Sequence, residues 1–164
     1  MILSKNFSKA ELCKSQTAIR MGLNNNPTDD QTENLRLLCE RVLQPVRDHF
    51  NKVVSISSGF RDPVLSRKIG SSEKSQHCKG EAADLEIFGV ANNELADWIK
   101  ENLMFDQLIL EYYTPGEPNS GWVHVSYTKE INANRKEYLM AIKNSNGKTE
   151  YKPILGLSTD RYVK

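Results

Sequence analysis

No stretch of this 164-residue chain is long and apolar enough to span a bilayer, and its opening, MILSKNFSKAELCK, lacks the apolar run of a secretory signal. Synthesis in a cytoplasm without a signal peptide is the expectation. An excess of charge of either sign is also missing. The 22 basic and 21 acidic residues leave a net +1, which gives no electrostatic case for nucleic acid or an anionic membrane surface. Cysteine is scarce: Cys13, Cys39 and Cys78 are odd in number and show no CxxC spacing. That excludes a disulfide framework and a cysteine-rich zinc module, and leaves Cys13 and Cys39 as small hydrophobes. No repeat, low-complexity tract or linker divides the chain, so one domain over 1–164 is expected, with a core at about 7–138, a hairpin at 136–154 and a short tail.

What is present is an ordered alternation of local signals. Ser8 with Glu11, and Thr28 with Gln31, have the spacing of capping boxes at helix starts. Leu35, Leu38, Cys39, Val42, Val46 and Phe50 recur at helical spacing, with Pro45 expected to kink or end that helix. VVSISS (53–58) alternates as a strand, and Asp62-Pro63 is a helix start that Gly70 is placed to close. In AADLEI (82–87), Leu85 and Ile87 share one strand face, and Asp84 and Glu86 the other. NNELADWIKENL is an amphipathic helix; DQLILEYY and GWVHVSY are strands joined by a turn-rich loop. Asn146-Gly147 marks a hairpin, and the residues after Pro153 are expected to trail over the surface. The class is α+β: N-terminal helices packed on a mostly antiparallel sheet.

Three histidines sit in different settings. His49 ends a charged helix, where a solvated imidazole is the natural reading. His77 precedes the strand that bears Asp84, and His124 lies on the Trp122, His124, Ser126 face of an apolar strand. Two imidazoles and one carboxylate form a recognised catalytic zinc set that leaves the fourth tetrahedral position to water.

The string Ser75-x-His77-x-x-Gly80-x-Ala82-x-Asp84, with Trp122-Val123-His124-Val125-Ser126, closely resembles the zinc peptidases of the D-Ala-D-Ala carboxypeptidase group, which includes bacterial cell-wall carboxypeptidases and phage endolysins. SSGFRDPVLSRKIG is similar to that family's Ser-Gly-Tyr-Arg-Ser stretch, and FSKAEL, NNNPTDDQTENLRLL and VLQPVR resemble the helices of its phage-type branch. The resemblance covers about Phe7 to Tyr138. It implies a hedgehog-like fold, a Zn2+ cofactor held by His77, Asp84 and His124, and bacterial peptidoglycan as the partner, with no nucleic acid, no membrane insertion and a monomeric chain. It implies action on the cell wall after holin-dependent release or from a virion. Gly80, Ala82 and Ala83 would be small so that the chain can turn close to metal and substrate, and Cys78 would pack away from the site in an extended segment.

By the same resemblance Arg61 contacts substrate and the developing oxyanion; a salt bridge to Asp62 is the plain alternative. Ser75 lines the site or serves as a capping hydroxyl. Several branches of the family carry an acid three positions before the last histidine, but Gly121 occupies that place here. Glu111 is then the candidate base: pairing Tyr113 with Trp122 sets Glu111 opposite His124, about 5 Å apart at Cβ. Glu81 and Glu117 are the alternatives. A zinc-dependent peptidase is expected, against a non-catalytic binding or virion module that keeps zinc for stability.

Overall fold

A computed structural model describes residues 1–158. The chain opens with a small ribbon, β1 (Ile2–Ser4) and β2 (Phe7–Ser8), which sequence reasoning did not anticipate. Ser8 then caps α1 (Lys9–Cys13), but the helical stretch breaks at Lys14 and restarts as α2 (Gln16–Met21) behind a second cap, Ser15. Thr28 and Gln31 form the full reciprocal capping box of α3 (Asp29–Leu38).

Pro45 does not end the helix. A π-helical segment, Cys39–Leu43, follows α3, with the Gln44 N–H bonded to the Cys39 carbonyl, and the chain continues directly into α4 (Gln44–Phe50). The wider turn ahead of proline takes up the ring and the missing donor that would otherwise break an α-helix. Leu35, Leu38, Val42 and Val46 therefore remain on one buried stripe.

The main sheet runs in the order β3 (Ser55–Ser58), β4 (Ala82–Glu86), β6 (Trp122–Ser126), β5 (Gln107–Glu111), β7 (Glu137–Lys143), β8 (Thr149–Pro153). All neighbours are antiparallel except β5 and β7. Strand alternation divides its two faces. Leu85, Leu108, Leu110, Val123, Val125, Tyr138 and Met140 join the core with Leu95 and Ile99 of α6 (Asn92–Asn102) and the α3–α4 stripe. Asp84, Ile109, Glu111, Trp122 and His124 occupy the other face. A 3-10 turn, Gln76–Lys79, brings Gln76 and His77 to the cleft on that face, and Leu65 of α5 (Pro63–Lys68), a helix capped by Asp62, lines an adjoining groove with Asp84.

Residues 154–158 do not simply trail over the surface. Ile154 is buried, and Ser158 donates from its backbone N–H and hydroxyl to Asp97, which also accepts from the Tyr138 hydroxyl. A buried carboxylate needs such donors, and here the C-terminal segment supplies two of them. Residues 159–164 of the expected tail lie outside the described residues.

Candidate metal centre

The cleft is built where β4 and β6 pair. Asp84 and His124 are direct cross-strand partners, so strand periodicity alone puts them side by side. His77 arrives from above on the 3-10 turn. The ligating atoms of the three residues lie within 4.8 Å of one another, a group that can hold a metal ion. Asp84 Oδ1 is 3.0 Å from His124 Nδ1 and 3.4 Å from His77 Nε2.

The tautomer of His77 follows from its other nitrogen. Nδ1 donates to the Gly59 carbonyl at 2.7 Å, which leaves a lone pair on Nε2 facing the Asp84 carboxylate. Two lone pairs meeting in a buried pocket call for a cation between them, and the donor set, two imidazoles and a carboxylate, suits zinc. Burial holds the His77 pKa below its ordinary value, so the ring is neutral as a ligand must be. Burial pushes Asp84 upward, but the hydrogen bond with His124 and the adjacent His77 ring more than offset it and keep the carboxyl below the usual range.

The turn that carries His77 is braced from α3. Gln31 donates to the Cys78 carbonyl and Asn34 to the Lys79 carbonyl. Gly80 closes the turn with φ +75°, and a Cβ there would sit 2.4 Å from the Gln31 carbonyl oxygen. Its smallness thus serves the approach of the turn to α3 rather than to metal and substrate, and Ala83 is small within the core. Cys78 is buried, as a packing residue should be, though its segment is a tight turn and not extended.

Arg61 makes no ion pair with Asp62, whose carboxylate is spent capping α5. The Arg61 backbone N–H bonds the His77 carbonyl; its Nη1 reaches Ser71 Oγ at 3.3 Å, and its buried Nε–H has no partner among the described residues. Asn25 holds the loop in place by donating to the Phe60 carbonyl and accepting from the Asp62 N–H. Ser75 is both things expected of it: its hydroxyl caps the His77 turn at 3.2 Å, and it lines the cleft.

Of the three acids considered as a base, Glu111 lines the cleft beside His77, Asp84 and His124. Glu81 faces a separate groove with Asp106 and Arg135, and Glu117 is exposed in the β5–β6 loop. The register differs from expectation by two residues. Glu111 pairs with Trp122, and Ile109, not Glu111, is opposite His124. The shift preserves the face because side chains alternate with period two. Its cause is the loop: Tyr112 at φ +53° and Gly121 at φ +64° turn the chain away just after the Glu111–Trp122 pair. Burial pushes the Glu111 carboxyl up to about 7, with His124 lowering it and Asp84 raising it to smaller extents.

Gly121 has a structural reason. A Cβ at that position would lie 1.8 Å from the Glu111 carbonyl oxygen, so the backbone has no room for any side chain there. His49 is exposed as expected, stacked on Trp98 at 4.4 Å, and has no part in the cleft. Residues that sequence reasoning missed include Ser71, Gln76, Gln107 and Tyr151, all lining the cleft of about 430 Å³. Only the alternation of β5, which puts Gln107 on the face of Glu111, offered a signal for any of them.

No described helix is long and apolar enough to cross a membrane. No curated protein matches the chain. The family model described as Peptidase M15 matches residues 5–126, most of the chain and every residue of the His-Asp-His group. The chain therefore belongs to the Peptidase M15 family, the zinc D-Ala-D-Ala carboxypeptidase-like metallopeptidases that act on peptidoglycan.

Proposed function

We propose that this protein is a single-domain, monomeric zinc peptidase that hydrolyses peptide bonds in peptidoglycan stem peptides or cross-links in the manner of a phage lysin, reaching the wall by holin-dependent release or as part of a virion. The observation that carries this reading is one cleft in which two imidazoles and a carboxylate converge beside a carboxyl group of raised pKa.

His77, Asp84 and His124 hold the metal. Bound there, zinc would supply Lewis acidity, polarising a carbonyl and making water more acidic. Glu111 takes the proton from the attacking water and returns it to the leaving amine, a cycle suited to a carboxyl that titrates near neutral pH. Arg61 donates through its planar fork to the oxygen on which negative charge develops, which would satisfy its unpartnered Nε–H. The Gly59 carbonyl fixes the His77 ring and its tautomer. Ser75 holds the turn and borders the bound peptide.

Digestion of purified peptidoglycan by zinc-loaded protein, read by mass spectrometry of the released muropeptides, tests the reading and identifies the bond cut. Glu111→Gln should keep zinc and fold while losing about 10²–10⁴-fold in turnover, the usual contribution of general acid–base catalysis. Absence of any released fragment with the zinc-loaded wild type would overturn the peptidase reading. Wild-type turnover in Glu111→Gln would remove Glu111 as the base.

A further inference from the structure

The family match ends at residue 126, yet one wall of the cleft comes from beyond it. Tyr151, on edge strand β8, lines the cleft together with Glu111 and Trp122. The pairing explains how. Trp122 pairs with Glu111, Glu111 with Ala141, and Ala141 with Tyr151, so the four residues form one lateral row across β6, β5, β7 and β8. Paired residues project from the same sheet face. Two strand spacings, about 10 Å, separate the backbones of Tyr151 and Glu111. The residue between them is alanine, whose methyl leaves the phenol free to lean toward the carboxylate.

Tyr151 has the character of a contact residue rather than a packing one. It is 56 % exposed, and its hydroxyl has no hydrogen-bond partner among the described residues. Its strand is nonetheless held firmly. β8 pairs along its length with β7, the neighbouring Thr149 hydroxyl bonds the Tyr112 hydroxyl, and Ile154 and Ser158 anchor the chain just beyond. A ring presented by a fixed element loses little conformational freedom when a ligand arrives.

The chemistry of the cleft narrows what the phenol can meet. Asp84 and Glu111 supply negative charge and Arg61 positive charge; Tyr151 adds a neutral donor, suited to a peptide carbonyl. Partial burial, then the nearby Glu111 and Tyr112, raise its pKa, so it stays protonated and able to donate.

We propose that Tyr151 is a substrate-contacting residue: its ring closes the β8 side of the cleft, and its hydroxyl donates a hydrogen bond to a backbone carbonyl of the bound peptide beside Glu111. This rests on the peptidase reading above. The test compares zinc-loaded wild type, Tyr151→Phe, Tyr151→Ala and Lys152→Ala on soluble muropeptides, with zinc content and melting temperature measured in parallel. Lys152 projects from the opposite face of β8 and serves as the control. Tyr151→Phe should raise KM about 2–10-fold with kcat little changed, as expected for one hydrogen bond made equally before and during reaction. Tyr151→Ala should raise KM further, while Lys152→Ala matches the wild type. If the wild type cleaves and both Tyr151 variants keep its KM, the contact is overturned and the peptidase reading stands. A lowered melting temperature with unchanged KM would make Tyr151 structural only and also overturn it. A wild type that cleaves nothing overturns both.

Discussion

Asp84 and Asp106 are both largely buried carboxylates, and neighbouring residues of one 3-10 turn address them: His77 faces Asp84, and Gln76 donates to Asp106 at 3.0 Å. Their surroundings differ in kind. Asp106 accepts from Arg135 Nε at 2.9 Å, from Arg135 Nη2 at 3.0 Å and from the Arg135 backbone N–H at 3.0 Å. A permanent cation and four donors leave it nothing more to bind. Asp84 meets two imidazoles, one of which presents a lone pair because its proton is committed to Gly59. Burial alone therefore does not mark a reactive acid. The distinction is whether the fold has supplied the full complement of positive charge or left it to be brought by a ligand.

The largest expected effect comes from the unsaturated acid. Asp84→Asn, like His77→Ala or His124→Ala, should abolish stoichiometric zinc binding and all hydrolysis, because each change removes a ligand or its charge. Elemental analysis of the folded variants checks this, and a full complement of zinc in any of them would sink the ligand assignment. Asp106→Asn, in contrast, should keep its zinc; a loss of metal there would erase the comparison.

Arg61 comes next. Arg61→Ala should reduce turnover about 10²–10³-fold, the range for removal of an oxyanion donor. Arg61→Lys should fare almost as badly, since an ammonium keeps the charge but not the fork. Activity kept in the lysine variant would leave a charge role only, and activity kept in both would take Arg61 out of the site.

Smaller effects belong to stability. Gly121→Ala puts a Cβ against the Glu111 carbonyl in a left-handed conformation, and should cost at least about 1–2 kcal/mol from the backbone alone. Urea unfolding measures it, and a neutral result would mean that the β5–β6 loop relaxes freely. Asp106→Asn should cost about 1.5 kcal/mol, the low end for charge-assisted bonds because the Arg135 side chain is 56 % exposed.

The smallest effect is the pH dependence of that last difference. Burial raises the Asp106 pKa, but the Arg135 side-chain and backbone hydrogen bonds more than reverse it, so the folded value lies below the unfolded one. The stabilisation is present above the ordinary aspartate pKa of about 3.9 and is lost as pH falls below it toward the folded value. The gap between wild type and Asp106→Asn in unfolding free energy should therefore shrink from pH 5 downward. A gap that widens on acidification would contradict the assignment of the pair.

Much of the site was legible because its signals are local. Caps at Ser8, Thr28 and Asp62 require only residues a few positions apart. The period-two pattern of AADLEI and WVHVS put Asp84 and His124 on polar faces before any partner was known. The same parity explains why Glu111 reached the cleft although its register was misjudged by two residues. Of the two outcomes expected at Pro45, ending the helix does not occur: proline's helix-breaking tendency is local, whereas a buried stripe on both sides of it keeps the helix going through the π-helical segment.

The sequence by itself determined the α+β class and the separate strands that bear Asp84 and His124, since these follow from alternation. His77, Asp84 and His124 were grouped by their chemistry and by the family resemblance; that the two strands pair directly was decided by the tertiary structure. Only the tertiary structure decided that Arg61 is free of Asp62 and that Gly121 is closed to an acid by the Glu111 carbonyl. It also decided that β7 inserts beside β5 in parallel and so carries β8, with Tyr151, to the cleft. Each of these depends on contacts between segments far apart in the chain, where loop geometry and packing choose among pairings that local patterns leave equally open.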